Sequence, residues 1–395
     1  ASMIGCSLNN AGPDESSLPE LEMEYHESSE EMLTELPIQE NVLHEEELPT
    51  GLKITIYDDG KMKISGANVE ENLNENKLLE AYISEVKEIE IGEGVEKLSE
   101  KVFSNFTLIK KITIGNSVKE IGYSTFSGCT ELIEISFGNG VEKIGDYAFS
   151  GCTALKDIIL NDELKTLGSY VFSNCSSLMN VKFGSSLETI GSSIFSGCSL
   201  LTSINIASDI PASAFKDCTT LETVSLEETV SKISERAFSG CTALENIVLT
   251  NKITEIGDYG FSGCNSLQYI TIPNSITRIG KDAFSDCTVL DTLKIEQGGT
   301  LKIENSAFSG CTSLTELDLS EGVTELGQKV FSGCTELTTI YFPKSLKNIG
   351  SYCLENTPAL TKINYRGSSD NWKKVKKEKQ WNTNAGTISV KYNVK

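Results

Sequence analysis

Ten of the chain's 12 cysteines recur at one place, three residues after a phenylalanine: Cys129, Cys152, Cys175, Cys198, Cys218, Cys241, Cys264, Cys287, Cys311 and Cys334. A thiol can act as a nucleophile, hold a metal, form a disulfide or serve as a small apolar filler. A zinc centre needs paired Cys-x2-Cys spacing or a neighbouring histidine, and neither occurs. Geometry opposes disulfides. Equivalent residues in stacked coils lie roughly 4.8 Å apart with parallel Cα–Cβ vectors, whereas bridged cysteines need converging Cβ atoms about 3.8 Å apart. In the first repeat Phe106 takes the cysteine's place. A bulky ring there marks a packing position, so the ladder reads as buried, reduced and unreactive.

Imidazole is scarce. His26 and His44 are the only histidines, and both lie in the acidic N-terminal stretch. The repeats therefore offer no Ser-His or Cys-His pair. Outward carboxylate pairs such as Glu316 and Asp318 could in principle hydrolyse a glycoside. With 56 acids in 395 residues such pairs arise by chance, and a solvated face is the simpler reading. No phosphate-loop or EF-hand motif occurs, and the Gly-Asn-Gly at 138–140 is a turn. Two sequons, at Asn105 and Asn174, fall in the repeat's turn, where burial is expected to keep them from glycan attachment. The chain reads as no enzyme, without cofactor or metal. Cys6 stands apart: Met3-Ile4-Gly5-Cys6-Ser7 resembles the end of a bacterial lipoprotein signal, which makes Cys6 a candidate for lipid attachment.

The elements that position these residues follow from a repeat. The turn phenylalanine falls at Phe103, Phe126, Phe149, Phe172 and Phe195 in steps of 23. It continues at Phe215, Phe238, Phe261, Phe284, Phe308 and Phe331, and Leu354 takes the last place. A fixed period of this kind is the mark of a solenoid. In the unit 308–330, Leu314, Leu317 and Leu319 suit a short strand with one buried face, and Val323 and Leu326 mark a return arm. Glycine recurs four residues before the Phe in eight units, for example Gly122, Gly145, Gly257, Gly327 and Gly350, and is expected to make a left-handed turn. The fold class is thus a leucine-rich-repeat solenoid of short parallel strands, capped at both ends. About 12 coils at strand spacing give a length of roughly 55–60 Å. The unit 195–214 has 20 residues and carries Pro211 in the glycine's place, so a local change in curvature is expected there.

Charge is unevenly spread. The net charge is −22, yet residues 1–50 hold thirteen acids and no Lys or Arg, while residues 360–395 hold nine bases and two acids. So acidic a chain repels phosphate backbones, which disfavours nucleic-acid partners. Residues 1–50 read as a disordered tether, with a short helix possible at 27–36. Residues 51–100 read as an N-terminal cap, containing a hairpin turning at Asp58-Asp59-Gly60 and a short helix within 70–83. Residues 101–365 form the solenoid, and 366–395 a C-terminal cap. In that cap Asp370 N-caps a helix bearing Trp372 and Val375, and a strand at 387–393 closes the stack. No apolar run is long enough to cross a membrane as a helix.

The stretch "AFSGCTSLTELDLSEGVTELG" resembles the BspA-like leucine-rich repeats, and the resemblance extends to "GLKITIYDDGKMKISG" at 51–66 and "INYRGSSDNWKKVKKEKQWN" at 363–382. It implies a secreted or cell-surface protein, free of catalysis, that binds host or matrix proteins or other cells. The outward main-strand places lie eight and ten residues after each Phe. Among them Ile159, Val248, Tyr269 and Tyr341 are candidates for a partner surface, since exposed apolar and tyrosine side chains are enriched at interfaces. The expected function is binding or adhesion by a monomer; the alternative is a structural spacer without a specific ligand.

Overall fold

The structure, a computed structural model, describes residues 41–70, 73 and 80–394. Each repeat forms one coil with three faces, two of them strand ladders and the third a turn. On the main face each coil contributes one short strand, such as Lys111–Ile114, Glu134–Ser136, Asp157–Ile159 and, further along, Tyr269–Ile272. Register follows the repeat, with Lys111 opposite Glu134 and Ile112 opposite Ile135. Period-2 alternation sends Ile112, Ile158 and Ile270 inward, where they are buried, and leaves their neighbours outside. A second face carries two-residue strands of the return arm, such as Glu255–Ile256 and Arg278–Ile279. The third face is the Phe-Ser-Gly-Cys turn, bonded coil to coil by Phe126 N to Ala148 O at 2.7 Å and its equivalents.

The core is a column between these faces. From Phe103 to Phe331 the rings stack with centroids 5.1–5.8 Å apart and planes within 15°. Offset stacking of this kind adds to the large apolar area each ring removes from water. On the second face opposite charges alternate along the register. Glu120 lies between Lys97 at 3.3 Å and Lys143 at 3.0 Å. Arg278 reaches Glu255 at 2.8 Å, Asp258 at 2.5 Å and Glu304 at 3.2 Å.

The recurrent glycine has a different cause from the one the spacing suggests. Gly122, Gly145, Gly257, Gly327 and Gly350 do not have positive φ; a Cβ on any of them would lie within 2.9 Å of the preceding coil's backbone. They are glycine because the coils touch there. The left-handed residues lie two before and two after each Phe, as at Ser124 (φ 49) and Gly128 (φ 76). Asn105, Asn174, Asp217, Asp286 and Asn356 replace that second glycine, and Asn and Asp are the residues that best tolerate this region. The sequon residues Asn105 and Asn174 are therefore exposed, contrary to the burial expected of the turn.

At the N-terminal end, Lys53–Tyr57 and Lys61–Ser65 form the expected hairpin, and Lys61–Ser65 passes pairing on to Glu88–Ile91. The tether reading does not hold at its C-terminal end: Val42–Glu47 is a strand antiparallel to Lys53–Tyr57. His44 thus belongs to the cap, with its ring 4.9 Å from that of Tyr82. The short helix there spans Glu80–Ile83. Cys6, His26 and the helix considered at 27–36 lie outside the described residues. At the other end the helix Ser369–Lys374 is N-capped by Ser368, whose hydroxyl accepts from Asn371 N at 3.2 Å. Asp370 is not the cap but sits in the first turn, where its charge favours the helix N-terminus. Trp372 packs on Phe342 and Tyr365 at 5.7 and 5.0 Å, and the strand Ser389–Tyr392 closes the main sheet.

Candidate functional site

The thiols come together as one buried ladder. Each lies against the preceding coil's Phe, and its Sγ donates to that residue's carbonyl at 3.1–3.3 Å, from Cys129 on Phe103 to Cys334 on Phe308. Burial pushes Cys175, Cys218, Cys287 and Cys334 up to about 12, because a thiolate there would lose its water. A thiol so raised is a poor nucleophile at neutral pH. All ten, and the out-of-register Cys353, are buried and unpaired. Phe106, in the cysteine's place, is buried as well and meets Phe103 edge-on at 5.6 Å. Cysteine spacing alone does not reveal the hydrogen bond to the Phe carbonyl, which depends on the phase of one coil over another.

Other chemistry is thinly supported. Among the described residues no group of three or more His, Cys, Asp or Glu is placed to hold a metal ion. Glu316 and Asp318 are both exposed on one strand, and Asp318 is engaged by Arg366 Nη2 at 2.8 Å. Asp318 borders an open depression with Lys294 and Glu296, and Glu316 does not line it, so the pair does not face one cleft.

The main face is a different kind of site. Val248 is 73% exposed, Ile159 66% and Tyr269 47%. Tyr341 is half-buried, with the Arg366 guanidinium 5.7 Å from its ring centre and bonded to Leu319 O, so it is partly covered. Two exposed apolar residues on this face escape the eight-and-ten rule: Ile133 and Met179, seven after their Phe and just ahead of the strand. Ile133 and Ile159 border one shallow depression, where Glu134–Ser136 and Asp157–Ile159 do not pair. Among the described residues no helix is long and apolar enough to cross a membrane.

The fold recurs in solved bacterial proteins. A leucine-rich-repeat protein from Bacteroides ovatus superposes with a TM-score of 0.64 at 24% identity, over 91% of this chain and 99% of that one. The pneumococcal vaccine antigen PcpA gives 0.54 at 18% identity, over 89% and 99%. A leucine-rich cell surface protein from Faecalibacterium prausnitzii gives 0.40 at 24%, over 84% and 97%. No curated protein sequence matches the chain. The family model described as the BspA type leucine rich repeat region matches residues 81–202, 208–301 and 254–378. The chain belongs to the BspA-type leucine-rich-repeat family.

Proposed function

We propose that this chain is a non-enzymatic binding or adhesion protein, secreted or held at a cell surface, which engages a protein partner through its main strand face. The observation that carries this reading is the exposure of Val248 and Tyr269 at neighbouring coils, on a face lined mostly by polar side chains. Large apolar and tyrosine side chains of this kind are common interface anchors, and repeat proteins bind through such extended surfaces. The family's resemblance to secreted and surface proteins supports the location, and host or matrix proteins or other cells as the partner class. A shared fold with a vaccine antigen is consistent with it. Lipid on Cys6 would anchor the chain, and intact mass of protein from the native host tests that directly.

Binding to a panel of purified matrix proteins, measured by surface plasmon resonance, tests the reading. A saturable partner should lose at least about tenfold in affinity with Tyr269→Ala or Val248→Asp, as hot-spot truncations do. No saturable partner across the panel would favour the spacer instead. Substrate turnover abolished by one Asp or Glu change would show an enzyme.

A further inference from the structure

Between the coils of Phe172 and Phe195 the solenoid comes apart on two of its three faces. The strand Asn180–Lys182 pairs back to Asp157–Ile159 and has no partner ahead, while Ser203–Ile206 pairs only forward with Thr223–Leu226. On the second face Thr189–Ile190 ends its sheet, and Ile210 bridges only forward to Ile233. The turn face stays continuous, with Asn174 N on Ser196 O at 2.7 Å. On the second face the gap falls at the 20-residue unit 195–214, whose return arm is shortened; the main ladder is also interrupted beside full-length units, between Glu134–Ser136 and Asp157–Ile159 and between Asn246–Ile247 and Tyr269–Ile272. Phe183, Leu187 and Ile190 are consequently only half-buried, although their equivalents Phe342, Leu346 and Ile349 are buried.

The opening is a cleft of about 470 Å³, walled by these three side chains with Ile206, Ile210 and Pro211. That volume falls in the range of small-molecule sites. Two formal charges line it. Asp209 is already engaged, accepting from Ser231 N at 2.7 Å, Ser231 Oγ at 2.9 Å and Lys232 N at 3.0 Å. Lys182, exposed at the rim, makes no contact ion pair among the described residues, although Asp162 lies within its electrostatic reach. An occupant therefore meets an apolar floor, one cation with no contact ion pair and two strand edges with no neighbouring strand.

We propose that this cleft binds a small amphiphile with an apolar body and a carboxylate head. The body lies on Phe183, Leu187 and Ile190, and the head meets the Lys182 ammonium. The cleft opens at a break in the main strand face but away from the Val248 and Tyr269 anchors, which do not line it.

Isothermal titration of the full chain with dodecanoate, kept below its micelle-forming concentration, tests this, with dodecyltrimethylammonium as the charge-reversed control. One dodecanoate should bind saturably, and the cation at least about tenfold more weakly, the scale of a charge-assisted contact. Lys182→Glu should weaken dodecanoate by about tenfold or more on the same grounds, and Ser208→Trp, which fills the cleft, should abolish binding. Circular dichroism checks that both variants fold; should Ser208→Trp not fold, Ala207→Trp on the same rim replaces it. No dodecanoate binding, equal binding of both amphiphiles, or binding indifferent to the cleft variants would overturn the proposal.

Discussion

Raising the pH should unfold this protein through its thiols. Burial pushes Cys175, Cys218, Cys287, Cys334 and Cys353 up to about 12, while Cys152, Cys198, Cys241, Cys264 and Cys311 are raised well above the ordinary value. In the unfolded chain the same thiols ionise near pH 8.5, the usual value of about 8.5 for cysteine. A group whose folded pKa is raised contributes its full stability below the unfolded pKa and loses it as pH climbs toward the folded one. The window is therefore about 8.5 to about 12, and within it each thiol removes about 1.4 kcal/mol per pH unit. At pH 10 the five thiols with the smaller rise remove about 10 kcal/mol together, which rivals the usual total stability of about 5–15 kcal/mol. Urea unfolding followed by circular dichroism in reducing buffer at several pH values between neutral and 10 measures this. Replacing Cys175 and Cys287 by Val together should flatten the slope by about 2.7 kcal/mol per pH unit, two thiols' worth. An unfolding free energy that stays level from pH 8.5 to 10, or a slope untouched by the double variant, refutes the reasoning.

The two kinds of glycine should respond differently to mutation. Gly257→Ala puts a Cβ 2.6 Å from Glu235 N, a backbone atom that cannot step aside, and should cost about 3 kcal/mol or more by urea unfolding. Gly263→Ala has space, its nearest neighbour being 3.9 Å away, and should cost only the left-handed penalty of about 1–2 kcal/mol. Gly263→Asn should be milder still, as Asn174 and Asn356 hold the same place. In the ring column Phe308→Ala removes contacts to Phe284 at 5.1 Å and Phe331 at 5.8 Å and should cost about 3–5 kcal/mol.

Much of this architecture is legible in the residues. Phe and Cys at fixed spacing mark the coils, and alternation at Leu314, Leu317 and Leu319 marks the strand's inward side. Phe106 reveals the thiol position as packing space without any coordinates. What escaped depends on how one coil sits over the next. The glycine at 257 looks like a turn residue in one dimension, and only the 2.6 Å approach to Glu235 shows it as a contact. Val42–Glu47 is too acidic to read as a strand, yet as an edge strand its charged side chains can face water. The missing residues of the unit 195–214 are visible in the count, but not that the return-arm ladder breaks there. Tyr341 reads as exposed by position, and Arg366, 25 residues along the chain, covers it.

The central claim is that the cysteines hold up a wall and do no chemistry, and thiol counting tests it most directly. The chain has 12 cysteines, and the 11 within the described residues are buried and unpaired. A chromogenic disulfide reagent added to the native protein without reductant should titrate at most one thiol rapidly, that of Cys6. The other 11 should react only after denaturation, and all of them should then do so. Two or more fast thiols in the native protein, or fewer than 11 after unfolding, would contradict the account.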